Sequence, residues 1–463
     1  MSERKWIIRS KDADFESLAA RYDIDQVVAK LLVNRDIDEN DFESFLYPEK
    51  AGFNDPYQIE DMNQAVRIVI HDIEEGHKLR LISKGDADGI ISNYILYKGL
   101  RRIGADVDYV LWQDEVKADD TLYDGISTFI ICNMGNAVEE LVRKAGKREM
   151  TFVAVDHHQL SFDIEAVGAV LNSKKESCRY PYKELCSAGV AYKFIECLYD
   201  KRGIPVEELT DFIEFVAVAV ICDDALLTGE NRLFVTAGLK KLRQSNNTGL
   251  RALVRANELS DVSIDAYHVK NQIGPCIEAF VENEELTDPM ELFMEENGEI
   301  AIQKAMILKE LSGMNNGRDK SEDEQNDIVV DAELPFSYVT EKLISEIDGL
   351  APFGPGNPTP VFISRNVNIV SAKIIGKEQD KVKLVLEEQD GFTGEGIYDS
   401  ASGFSDNIIS WFGQEEHDKL LHGWLNNVVL NVIYYPEIKE FNDARTIQYR
   451  ILGYSMAAVR EVL

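Results

Sequence analysis

From Lys78 onwards the sequence alternates short apolar runs with longer amphipathic stretches, and this alternation constrains the fold more than any other feature of the chain. Runs of about four to eight apolar residues are typical of buried strands, and longer stretches with helical spacing are typical of the helices between them. The strand–helix–strand order predicts an α/β fold in which helices cover both faces of a parallel sheet. The predicted strands are KLRLIS, DVDYVLW, STFIICN and MTFVAVD, and the predicted helices are IISNYILYKGLRRIG and AVEELVRKAG.

The pattern changes on both sides of this region. The N-terminal residues and those after Leu185 have helical spacing. The polar stretch GMNNGRDKSEDEQND has the composition of a linker. The turn-rich segment APFGPGNPTP comes next, and the residues after it alternate in polarity as the strands of a small barrel do. The predicted parts are an N-terminal helical segment (1–75), an α/β domain with a helical extension (76–312), a linker (313–328), a connecting helix and turn (329–358) and a β-rich domain (359–463).

The composition indicates an acidic, cytoplasmic protein. The 82 Asp and Glu against 49 Lys and Arg leave a net charge of −33, which favours a protein partner with a basic surface over tight binding of nucleic acid. The six cysteines form no CxxC pair, so we expect reduced core thiols and no zinc site. No apolar run approaches the roughly 18 residues of a membrane span, and the N-terminus lacks the pattern of a signal peptide.

Polar side chains follow three of the predicted strands. Ligands bind at the carboxyl ends of the strands in parallel sheets, so these side chains are candidates for chemistry. Carboxylate, amide and imidazole groups suit Mn²⁺ or Mg²⁺, which could activate water against a phosphoryl group. A single Asp-x-Asp-Gly is usually a turn and a His-His pair usually ordinary surface, but on successive strands they predict a metal centre. The candidates are Asp86, Asp88, Asn133, Asp156, His157 and His158.

The same residues belong to a series of motifs that runs along nearly the whole chain. On these motifs the chain resembles the DHH phosphoesterase superfamily and, within it, the RecJ-like exonucleases for single-stranded DNA. The resemblance implies an OB-fold for the β-rich tail, and a metal site to which Asp88, His157 and Asp223 contribute. The motifs are DPYQIEDMNQAV, the segment around Asp86 and Asp88, Asp156-His157-His158, LCSAGVAYK (185–193), CDDALLTGENR (222–232), QIGPCIEA (272–279) and LAPFGPGNPTPVF (350–362).

Two positions depart from the metal-binding pattern of that family. The family implies three alternating aspartates in the first motif, where this chain has Lys84, Asp86 and Asp88. An ammonium in place of a carboxylate costs on the order of 10 kcal/mol in metal affinity, at about 4 kcal/mol for each charge pair 4 Å apart, and Lys84 is expected to pair with Asp86 instead. Asn133 replaces the aspartate that bridges two metals. We therefore expect at most one Mn²⁺ or Mg²⁺, held by Asp88, His157 and Asp223 with Asn133 offering a carbonyl oxygen.

Substrate handling departs as well. After Ile-Gly-Pro the family continues with Asn-Ala and a Gly-Arg pair that contacts phosphate, whereas this chain has Glu278 and Glu282, which repel phosphate. The glycine-rich DHH-associated lobe is missing from the sequence between the linker and LAPFGPGNP.

The Glu230-Asn231-Arg232 turn is interpreted as structural. The aromatic residues Tyr434, Tyr435, Phe441 and Tyr449 could stack bases or form barrel core and rim.

These departures favour a catalytically impaired RecJ-like protein that acts as a binding or scaffold subunit of a DNA repair or replication complex. The alternative is an active 5′-to-3′ single-stranded-DNA exonuclease or phosphodiesterase that uses one ion held by Asp88, His157 and Asp223. In it Asp86 or His158 would assist at the phosphate, and Asp156 is a further catalytic candidate. A regulator that binds a small nucleotide remains a third option. A protein partner is expected, single-stranded DNA is a second candidate, and no membrane association is expected.

Overall fold

The computed structural model describes residues 5–112, 120–135, 150–159, 168–279, 288–315, 327–441 and 444–457. Contacts between residues divide the chain into two compact units. The barrel unit comprises residues 1–46, 322–351 and 359–463, and the α/β unit comprises residues 47–321 and 352–358. The N-terminal helical segment 1–75 of the sequence analysis is thus divided between the two units after residue 46.

The secondary structure follows the chain in this order. The strands are β1 (Trp6–Ile8), β2 (Lys78–Lys84), β3 (Asp106–Trp112), β4 (Ile126–Cys132), β5 (Thr151–Val155), β6 (Gly168–Leu171), β7 (Ile328–Val330), β8 (Ala332–Glu333), β9 (Phe362–Ile375), β10 (Lys381–Glu387), β11 (Thr393–Tyr398), β12 (Val429–Phe441) and β13 (Ala444–Met456). The α-helices are α1 (Phe15–Tyr22), α2 (Gln26–Asn34), α3 (Phe42–Leu46), α4 (Met62–Glu75), α5 (Ala87–Arg102), α6 (Ser187–Arg202), α7 (Ile213–Cys222), α8 (Gly229–Leu242), α9 (Thr248–Ala256), α10 (Ala266–His268), α11 (Gly274–Glu278), α12 (Pro289–Met294), α13 (Gly298–Asn315), α14 (Glu341–Asp348), α15 (Ala401–Phe412) and α16 (Gln414–His422).

A parallel sheet forms the centre of the α/β unit. Its strand order is β3-β2-β4-β5-β6, and every neighbouring pair is parallel. The four predicted strands correspond to β2, β3, β4 and β5, which confirms the predicted α/β fold class. The sequence analysis did not identify β6, because its four residues GAVL are too few to show a period. The predicted helix AVEELVRKAG lies outside the described residues.

Helix α5 begins almost directly after β2, and this short connection determines where the first motif lies. Asp86 is the N-cap residue, since its carboxylate accepts the backbone N–H of Gly89 at 2.9 Å. A Cβ atom on Gly89 would lie 2.2 Å from the carbonyl oxygen of Lys84, so only glycine fits this turn. Because α5 is buried over most of its length, the end of β2 and the start of α5 are held in one geometry.

Helix α7 is the central helix of the unit. Its sequence IEFVAVAVIC is apolar nearly all round, and eight of its residues are buried, as expected for a helix covered on every side. It packs against α5, α6 and α8, and the close approach to α8 requires Gly238, where a Cβ atom would lie 2.3 Å from the Cβ of Ala217. The residue that follows α7 is Asp223, so the central helix delivers this carboxylate to a defined place.

The barrel unit contains a closed five-stranded barrel, as the resemblance to an OB-fold implies. Strand β9 pairs antiparallel with β10 and β12, β13 pairs antiparallel with β12, and β11 closes the barrel between β13 and β10. In the same unit β1 pairs with β7.

The aromatic residues of β12 and β13 form the core of this barrel. Tyr434 and Tyr449 are buried, and their hydroxyls donate to the backbone carbonyls of Leu334 and Phe336. Tyr435 is also buried, and its hydroxyl bonds Asp348 at 3.0 Å. The core interpretation is therefore correct for these three tyrosines.

The cysteines agree with the expectation from the composition. All six cysteines are unpaired and five of them are buried, as predicted for reduced core thiols. Within the described ranges, the helices include none with the length and apolar character needed to cross a membrane.

Candidate metal centre

The residues predicted to carry chemistry lie at one edge of the parallel sheet. Strands β2, β4 and β5 are neighbours, and their registers place Ser83 beside Cys132 and Cys132 beside Val155. The residues at the ends of these strands and just after them therefore come together. They are Lys84, Asp86, Asp88, Asn133, Asp156, His157 and His158.

Three of the side chains form a cluster with the geometry of a metal site. One ligand atom from each of Asp88, His157 and Asp223 lies within 4.8 Å of the other two. His157 lies between the carboxylates, with Nδ1 3.5 Å from Asp88 and Nε2 3.7 Å from Asp223. Asp88 and His157 are buried, whereas the Asp223 side chain is 29% exposed, so the cluster opens to solvent on one side.

The N-terminus of α6 holds this cluster from the inside. The carboxylate of Asp88 accepts the backbone N–H groups of Ser187 and Ala188, both at 2.9 Å. The N–H of Ser187 also lies 3.1 Å from Nδ1 of His157, and its hydroxyl donates to Oδ1 of Asn133 at 3.1 Å. A helix N-terminus stabilises a carboxylate by its free N–H groups and its dipole. Ser187 is a site residue that the sequence analysis did not single out, although it lies within the LCSAGVAYK motif.

The pKa values in the cluster show that negative charge is crowded there. Burial raises the pKa of Asp88, against the charge of His157 and the two backbone donors. Burial, followed by the charges of Asp88 and Asp86, raises the pKa of Asp223 to about 7. Burial lowers the pKa of His157, which favours the neutral imidazole that a metal requires. A divalent cation would relieve the repulsion between the two carboxylates.

Asp86 faces a different environment, because its oxygens are already occupied. The ammonium group of Lys84 lies 2.8 Å from Oδ2, and the side-chain amide of Asn133 donates to Oδ1 at 2.8 Å. Oδ1 also accepts the capping N–H of Gly89. Asn133 itself adopts a left-handed backbone conformation (φ 53°), which asparagine tolerates better than most residues. An ion pair and an amide thus surround the carboxylate where a second metal would need open oxygens.

Asp156 and His158 organise the loop around the site. Both oxygens of Asp156 accept hydrogen bonds, from the backbone N–H groups of Met134, Gly135, His157 and His158 and from Nδ1 of His158. Although burial opposes its ionised form, the hydrogen bonds from His158 lower the pKa of Asp156. The hydrogen bond to Asp156 raises the pKa of His158, whose ring stacks on His157 at a centroid distance of 4.3 Å. With its oxygens engaged in this way, Asp156 positions both histidines.

Glu278 lies at the N-terminus of α5, where a phosphate could otherwise bind. Its Oε1 accepts the backbone N–H of Ala87 at 3.4 Å. The free N–H groups of a helix N-terminus form an anion site, and here a carboxylate of the chain uses one of them. Glu282, the second departure in this motif, lies outside the described residues.

Glu230, Asn231 and Arg232 lie in the first turn of helix α8 and not in a separate turn, and their contacts support the structural interpretation made from the sequence. Glu230 is buried, pairs with Lys193 at 3.3 Å and accepts the hydroxyl of Tyr180 at 2.6 Å. The amide of Asn231 donates to the carbonyls of Glu184 and Leu226 and so ties the loop after Asp223 to the segment before α6.

The residues present fit a divalent ion at the cluster of Asp88, His157 and Asp223. Asp88, His157 and Asp223 supply two carboxylates and an imidazole, which suit Mn²⁺ or Mg²⁺. A second ion would have to displace Lys84 and share Asp86 with an amide nitrogen, which carries no lone pair for a metal. Among the described residues, no other group of His, Cys, Asp and Glu meets the same distance limit.

Comparison with known proteins agrees with both parts of the fold. Residues 81–220 match the model of the DHH family, N-terminal domain, and residues 330–453 match that of the RecJ OB domain. The chain is 27% identical over 341 residues to the single-stranded-DNA-specific exonuclease RecJ of Bacillus subtilis. The chain is a RecJ-like protein of the DHH superfamily. Its DHH segment and its barrel thus match known family domains.

The RecJ likeness extends to solved structures. The crystal structure of RecJ from Thermus thermophilus in complex with Mn²⁺ superposes with a TM-score of 0.77 and 16% identity, over 98% of this chain and 80% of that one. The same protein in complex with Mg²⁺ superposes with a TM-score of 0.71, and at this identity the likeness shows the fold alone.

The curated RecJ relatives are longer than this chain. The match covers 71% of this chain but 42% of the Bacillus subtilis protein, and 57% of this chain but 49% of the Escherichia coli RecJ, which is 22% identical. The chain therefore spans about half the length of the curated relatives that it matches.

Proposed function

We propose that this RecJ-like protein is impaired as a two-metal nuclease and acts as a binding or scaffold subunit in a DNA repair or replication complex. The observation that carries the proposal is the arrangement around Asp86. Its carboxylate is paired with Lys84 and hydrogen-bonded to the Asn133 amide, each at 2.8 Å. Two-metal hydrolysis needs both ions to hold the attacking and the leaving oxygens, and the pairing of Asp86 with Lys84 and Asn133 would oppose the binding of one of them.

The remaining metal site would be held by Asp88, His157 and Asp223. A bound Mn²⁺ or Mg²⁺ would supply a Lewis acid and lower the pKa of a bound water. The backbone N–H groups of Ser187 and Ala188 orient Asp88, and Asp156 orients His157 and His158. These hydrogen bonds keep the site ordered, which supports the binding of one ion there.

Substrate binding supports the same proposal. Glu278 places negative charge at the helix N-terminus nearest to Asp86, and the net charge of −33 opposes a polyanion. Only the eleven residues 316–326 separate α13 from the described residues before β7. So short a segment cannot hold a further globular domain, which agrees with the absence of a DHH-associated lobe from the sequence.

The alternative is an active exonuclease on single-stranded DNA that uses one ion. The intact cluster of Asp88, His157 and Asp223 favours it, as does the activity for which the curated RecJ relatives are named. In this alternative His158, whose Nδ1 is bound to Asp156, would assist at the phosphate through its other nitrogen.

Titration with Mn²⁺ by calorimetry, together with a nuclease assay on 5′-labelled single-stranded DNA, separates the two functions. We expect wild type to bind at most one ion and to cut nothing, and the double variant Lys84→Asp, Asn133→Asp to bind a second ion. His157→Ala serves as the control variant that is expected not to bind the metal. Wild type that binds two ions, or that cuts DNA in a manner lost in His157→Ala, contradicts the scaffold proposal.

A further inference from the structure

Helix α13 presents a stripe of apolar side chains that no described residue covers. Ile300 is 43% exposed, Ile307 44% and Met314 64%, and Leu311 is partly buried beside them. At about 100° per residue, Ile300, Ile307 and Met314 fall within about 40° of one another around the helix axis. We call Ile300, Ile307 and Met314 the α13 stripe; Leu311 is left out because it packs against the core of the unit. It extends for about 21 Å, or four helical turns.

A separate face of α13, about 80–140° around the axis from Ile300, supplies the contribution of the helix to the core. Ala301, Ala305 and Leu308 are fully buried, and the helix packs against α9, α11 and α12 through this face. An ordinary surface helix carries polar residues opposite its buried face. In α13 the stripe is a second apolar row beside the polar face, so it is in excess of the apolar surface that the helix buries in the core.

The exposed charges beside the stripe are acidic and lie on one flank. Lys304 lies on the flank towards α12, and its ammonium pairs with Glu291 at 3.2 Å and Glu295 at 3.7 Å. Lys309 points the other way, about 180° from Ile300, and donates to the carbonyl of Ala256. Both lysines of the helix are thus engaged within the unit. Glu299 and Glu310 are exposed and remain as charges beside the stripe.

We propose that the α13 stripe binds an amphipathic helix of a protein partner, and that this helix has an apolar face flanked by lysine or arginine. Apolar anchors at intervals of three, four and seven residues are the pattern by which one helix recognises another. The acidic rim selects a basic partner by charge complementarity. A second copy of this chain would bring the same acidic rims together and carries a net charge of −33, so self-association is disfavoured.

This inference rests on the proposed binding role, because it names the surface through which that role would be exercised. It does not involve the metal centre, whose ligands lie at the ends of β2 and β5 and after α7. Loss of the stripe is therefore expected to leave Mn²⁺ binding unchanged. The two proposals can fail separately.

Fluorescence anisotropy of a labelled synthetic peptide tests the inference on the full chain. The probe is a helix of about 20 residues with leucine along one face and lysine on its flanks, and the matched probe carries glutamate on the same flanks. The site variant is Ile307→Ser with Met314→Ser. The control is Met306→Ser, since Met306 is 60% exposed but lies about 100° away from Ile307 around the helix.

We expect the lysine probe to bind wild type and Met306→Ser with affinities within about twofold, and the stripe variant at least about tenfold more weakly. The glutamate probe should bind none of them. Equal binding of both probes, or of the lysine probe to wild type and the stripe variant, overturns the proposal. So does a wild-type dimer in sedimentation that the stripe variant loses, because the occupant is then a second copy.

If the lysine probe binds at the stripe while wild type binds two ions and cuts DNA, the docking surface stands and the impairment fails. If wild type binds one ion and cuts nothing while no probe binds, the docking inference fails and the metal-centre proposal stands. Far-ultraviolet circular dichroism of each variant confirms that the chain is folded before either result is interpreted.

Discussion

Asn133 donates a hydrogen bond from its side-chain amide to Oδ1 of Asp86, at 2.8 Å. An aspartate at position 133 could not donate this bond, and it would bring two carboxylates together. The neutral amide therefore stabilises the site without a metal at this position. An active two-metal enzyme has the opposite requirement, since its carboxylates are tolerated because the ions neutralise them.

The variant Asn133→Asp should be less stable than wild type in EDTA, by about 1–2 kcal/mol, because a hydrogen bond is replaced by repulsion. Added Mn²⁺ should restore more stability to the variant than to wild type, since a ligand that binds only the folded state stabilises it. Urea unfolding with and without Mn²⁺ measures both effects. A variant as stable as wild type in EDTA would show that the amide is not needed.

His157→Ala should weaken Mn²⁺ binding by at least about 100-fold, because it removes the imidazole between Asp88 and Asp223. The neighbouring His158→Ala is the matched control and should change the affinity by less than about tenfold, since His158 bonds Asp156 instead. Calorimetric titration of both variants measures the difference. Equal losses would place His158 among the ligands.

Gly89→Ala should destabilise the α/β unit by about 1–3 kcal/mol, because the added Cβ would meet the carbonyl of Lys84 and force the β2–α5 turn to move. Gly298→Ala is the control, since nothing lies within 4 Å of that position and α13 starts there. The control should be neutral or stabilising by up to about 1 kcal/mol. Thermal unfolding of both variants provides the comparison.

Glu214→Gln should raise the free energy of unfolding at pH 8 and have a smaller effect near pH 5. Glu214 is buried, its Oε1 accepts the hydroxyl of Ser245 at 2.8 Å, and its Oε2 has no hydrogen-bond partner among the described residues. Burial raises the pKa of Glu214. A folded pKa above the unfolded one means that the native state holds its proton longer, so wild type loses stability as pH rises through this window.

The neutral glutamine avoids that loss. The exposed Glu207→Gln should change stability by a similar small amount at both pH values, and urea unfolding at pH 5 and pH 8 compares the three proteins. A Glu214→Gln effect that does not grow with pH would mean that the carboxyl remains neutral throughout or is hydrated.

Glu278→Arg should strengthen the binding of single-stranded DNA at low salt by several-fold, because it exchanges a repulsive charge at the α5 N-terminus for a phosphate contact. Anisotropy of a labelled oligonucleotide across a range of salt concentrations measures the affinity and its salt dependence. The same substitution at the exposed Glu207 controls for net charge. Equal gains from both variants would show a non-specific effect of charge.

Local patterns in the sequence were sufficient for the parallel sheet and for the residues at its strand ends. Strand and helix periods, and the rule that ligands bind at the carboxyl ends of strands, depend on residues close together in the chain. The family motifs identified the barrel and the DHH segment. The four-residue strand β6 escaped detection because so short a segment carries no period.

Only the tertiary structure decided how these residues are used. The fold places Asp223 beside His157, although Asp223 follows the distant helix α7. It also engages both oxygens of Asp156 in hydrogen bonds and brings the backbone N–H of Ser187 to the carboxylate of Asp88. It also pairs Trp6 with Ile328 in the barrel unit and leaves one face of α13 apolar and exposed. Contacts between residues far apart in the chain depend on packing, which periods along a single sequence do not encode.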